Sequence, residues 1–153
     1  MRNRISRRLG RLEKGAAALE FALIAALFLI VLLLGIIELG RAFFLINATA
    51  EATRLGARIA VVCDVSMAQQ NLIKARMKQY ALQVLPEDRI DIAYAPANCA
   101  AGSCRSVTVS VLPGATFSTF IPFVPLTWEL PAFATTLPTE SLDSAGGANP
   151  VCR

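Results

Sequence analysis

From Ala16 to Ile37 the chain carries a single ionisable side chain, Glu20, and the residues after it, Phe21 to Ile37, are drawn only from Ala, Leu, Ile, Val, Phe and one Gly. A run of roughly 20 apolar residues, at about 1.5 Å rise each, crosses the hydrocarbon core of a bilayer. A helix that is apolar on every side has to be surrounded by lipid or by other helices. With 153 residues in all, there is room for one such helix and one small domain, and the 55% hydrophobic content follows largely from the helix. Glu20 is the costly exception. A charged group at the centre of a membrane helix costs about 2.5–3.5 kcal/mol on insertion scales, and an ionisable residue in such a place calls for a partner.

The segment before the run is basic. Arg2, Arg4, Arg7, Arg8, Arg11 and Lys14 stand against Glu13, a charge of +5, so the remaining residues carry 9 basic and 10 acidic side chains, or −1, within a total of +4. A basic cluster can bind nucleic acid, but one placed directly before an apolar helix follows the positive-inside rule. The N-terminus is therefore expected in the cytoplasm and the C-terminal domain across the membrane, with no nucleic-acid partner.

Glu20 has two readings. In one it snorkels to the cytoplasmic interface, being only a few residues into the run. In the other the chain is cut between Gly15 and Ala16, and Glu20 pairs with the new terminal ammonium of a neighbouring subunit. At about 4 Å and an effective dielectric near 20 that attraction is on the order of 4 kcal/mol, comparable with the insertion cost.

The residues Gly15-Ala16-Ala17-Ala18-Leu19-Glu20-Phe21 resemble the cleavage motif of type IV pilin precursors. With Gly35-Ile36-Ile37-Glu38-Leu39-Gly40-Arg41 and Ala50-Glu51-Ala52-Thr53-Arg54-Leu55-Gly56-Ala57-Arg58, the chain is similar to TadE-like minor pseudopilins of the tight-adherence (Tad/Flp, type IVb) pilus system. The likeness is close over residues 7 to 62 and loose beyond, where Phe133-Ala134-Thr135-Thr136-Leu137-Pro138-Thr139-Glu140 is similar to the end of such domains. The resemblance implies removal of residues 1–15 by a prepilin peptidase, Gly15 preceding the cut and Ala16 following it, and an assembly role for Glu20 and Phe21. It implies as partners the inner membrane, the peptidase, other pilin and pseudopilin subunits and the pilus assembly platform. The expected place is the bacterial inner membrane, single-pass with a periplasmic C-terminal domain, and beyond that an extracellular pilus.

A helix is expected to run on past the membrane. From Leu39 to Val62 there is no proline, and Leu45, Ala48, Ala52, Leu55, Ile59 and Val62 recur at the steps of one helical face, with Asn47, Glu51, Arg54 and Arg58 on the other. Ala16 to Val62 would measure about 70 Å, transmembrane over 16–38 and amphipathic over 39–62. Ala18, Ala22 and Ala26 form a small-residue stripe that would admit a close neighbouring helix, or reflect only that alanine favours helix. Glu38 and Arg41 form an expected pair at the outer membrane edge, worth a few tenths of a kcal/mol. The flanking Gly35 and Gly40 each lower helix propensity by about 1 kcal/mol.

Residues 63–140 read as an α+β domain, so the fold class is a pilin-like one, a long N-terminal helix packed on a small antiparallel sheet with a second helix. Ser66 or Asp64 caps that second helix, which runs to Leu85 with Ile73, Met77, Tyr80, Ala81 and Val84 inward, until Pro86 stops it. Strands are expected at Arg89–Tyr94, Arg105–Leu112 and Leu126–Thr136, the last broken near Pro131. The segment from Phe117 to Pro125 is too apolar for a solvated loop, and its prolines argue against a central strand, so core cover is expected of it. Residues 141–153 read as a flexible tail, unless Cys152 ties them down. The four cysteines all lie on the expected outer side, where disulfides form. Four cysteines allow three connectivities; Cys99 and Cys104 bracket a short Gly-containing loop that could bring them together, and Cys63 with Cys152 would then be the second pair.

The composition argues against other classes. There is no histidine, hence no common general base, and Glu87, Asp88 and Asp91 cluster beside a turn where solvation accounts for them. No phosphate-binding glycine loop occurs. The cysteines lack the paired Cys-x-x-Cys spacing of a zinc site. No catalytic residue, metal or cofactor is expected. Ser6-Arg7-Arg8 is a poor twin-arginine signal because Gly10 follows, and Ala48-Thr49-Ala50 lies too far past the apolar run for a signal-peptidase site. Two other readings stand beside the pilus subunit: a type II secretion pseudopilin, and an uncleaved single-pass anchor for an extracytoplasmic binding domain.

Overall fold

The computed structural model describes the backbone of residues 2–121, 124–144 and 148–153, and side chains from Gly15 onward within these. The chain is α+β: a long helix, a second helix and a small antiparallel sheet. It divides into two units, Met1–Gly40 and Arg41–Arg153.

Helix α1 runs from Arg2 to Ala60, 59 residues without a break. Its backbone is already helical before Gly15, so the basic leader shares the element, although its side chains lie outside the described residues. Within the second unit α1 contributes Leu45, Ala52, Ile59 and Ala60 to the core, while Asn47, Glu51, Arg54 and Arg58 are exposed, as the periodicity predicts. Ala48, Leu55 and Val62, expected inward, are only half-buried. The centre of the buried stripe lies instead along Thr49, Thr53, Gly56 and Ala57, all buried. Both threonines escape the cost of burying a hydroxyl by donating to a carbonyl four residues back, Thr49 to Leu45 at 2.8 Å and Thr53 to Thr49 at 2.9 Å.

Gly56 is where the layers meet. A β-carbon placed on it would stand 2.4 Å from Sδ and 3.0 Å from Cγ of Met77, and 3.3 Å from Cγ1 of Val109. Helix α2 (Met67–Tyr80) supplies Met77 and Ile73, both fully buried. Its N-cap is Ser66, which accepts from the Gln69 amide.

The expected end of α2 at Pro86 is too late. The helix stops at Tyr80, and Leu82 and Gln83 turn left-handed at φ 53° and 64°. Gln83 N–H donates to the Lys78 carbonyl at 2.9 Å and Leu82 N–H to Gln79 at 3.2 Å. This is the Schellman closure, which satisfies the last carbonyls of the helix, built here without glycine. Val84 therefore lies outside the helix, and Tyr80 faces outward.

Strands β1 (Ile90–Ala95), β2 (Ser106–Val111) and β5 (Phe133–Pro138) form an antiparallel sheet with β2 in the middle. Val107, Val109 and Val111 point into the core, opposite Tyr94, Ile92 and Ile90 of β1 by register. On the outer face Thr108 and Thr136, paired in register, share a hydroxyl contact of 2.8 Å. Tyr94 is half-buried with its hydroxyl 3.5 Å from the Ala60 carbonyl, and burial raises its pKa above the ordinary phenol value.

The stretch expected as one broken strand at 126–136 is two. β4 (Thr127–Glu129) pairs with β3 (Thr116–Ser118) in a separate two-stranded hairpin, and Pro131 falls between β4 and β5. Core cover by residues 117–125 needs correction as well. Among the described residues there, Phe117 alone is buried, while Phe120 is 85% exposed and Val124 and Pro125 face outward. Pro122 and Phe123 lie outside the described residues.

The tail is held. Its described parts close the C-terminal end of α1, whose last carbonyls have no partner within the helix. Glu140 N–H donates to Val61 at 3.0 Å, Asp143 N–H to Val62 at 2.9 Å, and Leu142 and Ser144 are buried. Ser144 and Asp64 exchange two bonds, from the Asp64 amide to Ser144 Oγ at 3.1 Å and from the Ser144 amide to Asp64 Oδ1 at 3.2 Å. Cys152 is bonded to Cys63 and Cys99 to Cys104, with Cα separations of 5.6 and 5.1 Å. Residues 145–147 lie outside the described set.

Candidate functional site

The sequence places its candidate residues along α1 from Gly15 to Arg41. Taken by itself, the stretch from Gly15 to Gly40 is bare: the large apolar side chains Leu19, Phe21, Leu23, Ile24, Leu27, Phe28, and onward to Leu39, are all exposed. It is one helix long and apolar enough to cross a membrane. Alanine, leucine and isoleucine supply the propensity, and neither Gly35 nor Gly40 interrupts the helix.

Within that stretch Gly15, Ala16, Glu20 and Phe21 are exposed, as are Ala18, Ala22 and Ala26, four apart on one helix line. Nothing lies within 4 Å of where a β-carbon would sit on Gly15, Gly35 or Gly40. Glycine at those positions therefore answers to no packing demand in the single chain, unlike Gly56. Glu38 is half-buried.

At the start of the second unit, Arg41 is held by β3. Its guanidinium donates to the Ser118 carbonyl and lies 5.5 Å from the centre of the Phe117 ring, an arrangement in which the ring's negative face attracts the cation. Phe117 in turn stacks with Trp128 of β4, ring centres 6.5 Å apart. The helical spacing that suggests pairing Arg41 with Glu38 gave no sign of these contacts, because Ser118 is 77 positions away. Aromatic residues at 117 and 128 around a short turn were the available signal.

The second unit holds two disulfides. Cys63–Cys152 joins the end of α1 to the tail across 89 positions, and Cys99–Cys104 closes the loop between β1 and β2. Among the described residues no group of three or more His, Cys, Asp or Glu is placed to hold a metal ion.

No curated protein and no solved structure matches the chain. A family model does, over residues 15–58, the family being described as TadE-like protein. The matched span begins at Gly15, takes in the whole bare apolar helix with Glu20, and ends where α1 is packed against α2 and the sheet. Over those residues, less than half of the chain, the protein is similar to the TadE-like family.

Proposed function

We propose that this protein is a minor pseudopilin, a structural and assembly subunit of a tight-adherence pilus. The observation that carries the reading is the bare helix: an apolar surface exposed from Leu19 to Leu39, with one carboxylate near its start, inside the family-matched span. Such a surface is stable only in lipid or against the helices of other subunits. The membrane stores the subunit and the filament offers its helix a second apolar environment.

In this reading a prepilin peptidase cuts between Gly15 and Ala16 in the inner membrane, with the basic leader on the cytoplasmic side and the domain in the periplasm. Glu20 then pairs with the terminal ammonium of a neighbouring subunit, which offsets its cost in the apolar surroundings and fixes the axial register of the two helices. Ala18, Ala22 and Ala26 supply a line along which a neighbouring helix approaches. The two disulfides suit an oxidising compartment.

The test is the N-terminus of the membrane-extracted protein, read by mass spectrometry from cells with and without a prepilin peptidase. A chain beginning at Ala16 only when the peptidase is present supports the reading; a chain uncut at Gly15 in its native cell replaces it with an uncleaved anchor. For the carboxylate, Glu20→Ala is expected to abolish incorporation into pili while leaving membrane insertion intact. Normal piliation by that variant would remove the pairing role.

A further inference from the structure

The geometry points to the free edge of β5 as an interaction surface for a second copy of this chain, the two β5 strands pairing antiparallel to join their sheets into one. The surface lies wholly within the unit Arg41–Arg153, independent of cleavage at Gly15 and of any membrane.

Among the described residues β1 and β5 are the edges of the sheet, with β2 between them. The two edges differ. In an antiparallel pair, alternate residues turn their main-chain N–H and C=O to the partner strand and the rest turn them away. Thr139 N–H donates to the Arg105 carbonyl at 3.1 Å. With Val107 opposite Leu137, Val109 opposite Thr135 and Val111 opposite Phe133, that bond sets the phase: Phe133, Thr135 and Leu137 bond to β2, while Ala134, Thr136 and Pro138 turn to the free side. All of the latter are exposed. By the same rule the Leu112 N–H bond to the Arg89 carbonyl, 2.8 Å, turns Ile90 and Ile92 to the outer side of β1, but these are only 2% and 8% exposed, so that edge is already covered there.

An open edge is a template for another strand, and proteins guard it with charge, proline or a bulge. From Leu130 to Thr139 no side chain is ionisable. Proline stands only near the two ends, at 131 and 138, which frames the N–H groups of Ala134 and Thr136 without blocking either.

The inner face says which strand fits. Phe133 and Leu137 are half-buried, whereas Val111 and Val107, across from them on β2, are fully buried. Beside Leu137 lies a groove of about 320 Å3 lined by Arg58, Val61, Val62, Leu137, Pro138 and Glu140. A strand that pairs Ala134 with the second copy's Thr136, and Thr136 with its Ala134, exchanges both main-chain bonds at each pair. It also sets the second copy's Phe133 directly opposite Leu137, next to the groove, and the two-fold axis repeats the contact. Thr135 meets its own counterpart on that axis, a favourable cross-strand pair, and no like charges face each other. β5 thus supplies both the edge and the apolar side chain that the groove takes. The pairing is isologous and closes, giving a dimer and not a fibre.

The mass of the detergent-extracted full chain, measured by sedimentation equilibrium in density-matched detergent at micromolar protein, tests this for the parent and for Ala134→Pro. The Ala134 N–H is turned away from β2, so proline there removes no bond within the sheet and blocks an added strand. The expected result is a dimer mass for the parent and a monomer mass for Ala134→Pro, with superimposable far-ultraviolet circular dichroism. Register is read from Thr135→Cys. Residues opposite each other in a non-hydrogen-bonded pair have Cα atoms about 4.5 Å apart, within reach of a disulfide, so mild oxidation should yield a dimer that reduction separates. Ala93→Cys, on exposed β1 surface, should stay monomeric on the same non-reducing gel. A monomeric parent overturns the pairing. So does a dimer that survives Ala134→Pro, which assigns association to the exposed apolar helix, or cross-linking at 93 as readily as at 135. Should Ala134→Pro fail to fold, Thr135→Cys decides, and absence of its cross-linked dimer overturns the pairing.

Discussion

At the residue scale the least conspicuous position in the core is Gly56. Alanine in place of a mid-helix glycine ordinarily gains about 1 kcal/mol, but here even a β-carbon would stand 2.4 Å from the sulfur of a fully buried Met77 and 3.3 Å from Val109. Added volume in a filled core costs about 1–3 kcal/mol, so Gly56→Ala is expected to be neutral or destabilising. Gly56→Val, larger and β-branched, should destabilise by about 2 kcal/mol or more. Thermal unfolding of the detergent-extracted chain, followed by Trp128 fluorescence, measures both. If Gly56→Ala shows the full propensity gain, the close approach of α1 and α2 is wrong. A Met77→Ala background should relieve part of the Gly56→Val loss, since the two positions share the same space. None of this was legible in the sequence, where a glycine between Leu55 and Ala57 carries no mark of what lies across from it. Thr49 and Thr53 were missed for a related reason: polar residues read as exposed, unless one knows that their hydroxyls turn back onto their own helix.

At the element scale, periodicity made the helices and the strands β1 and β2 readable, because a buried stripe or an alternating face leaves a repeat in the sequence. Val107, Val109 and Val111 are the clear case, and all three are buried in β2. What was not readable was where elements stop. Pro86 looked like the terminator of α2, but closure occurs at Leu82 and Gln83, two residues whose identities favour helix and whose left-handed backbone is imposed by the return to β1. That conflict predicts a gain. A left-handed residue other than glycine carries roughly 1–2 kcal/mol of strain, and glycine's freedom in the unfolded chain costs back about 0.5–1 kcal/mol. Gln83, exposed with φ 64°, is the better of the two sites, since replacing Leu82 would also remove apolar contact. Gln83→Gly should therefore raise stability by about 0.5–1 kcal/mol, seen as an upward shift of the unfolding midpoint in denaturant at unchanged slope. A lower midpoint would mean that the Gln83 side chain or its rigidity contributes more than its strain.

At the scale of the whole molecule, the span from Gly15 to Gly40 has its apolar surface exposed and contributes nothing to the buried core, which is drawn from residue 42 onward. The second unit therefore depends on a core built from 113 residues at most, numbers 41 to 153, and its termini are where such a domain frays. The Cys63–Cys152 bond acts there. It closes a loop of 89 positions, whereas Cys99–Cys104 closes one of 5. In the chain-entropy account the longer loop is worth about 4–5 kcal/mol and the shorter about 2 kcal/mol. The long bond has company that the short one lacks: the tail it anchors supplies the amides that satisfy the Val61 and Val62 carbonyls and exchanges bonds with Asp64. Losing the bond lets the tail leave, and those groups then turn to water. The double variant Cys63→Ala/Cys152→Ala is expected to lower stability by about 4 kcal/mol, and Cys99→Ala/Cys104→Ala by about 2 kcal/mol or less. Chemical denaturation of the two variants beside the parent chain checks the order, and limited proteolysis should cut the first variant after residue 140 while leaving the second intact there. Equal losses from the two pairs would mean that the tail holds its place without the bond, by its hydrogen bonds and the buried Leu142 alone.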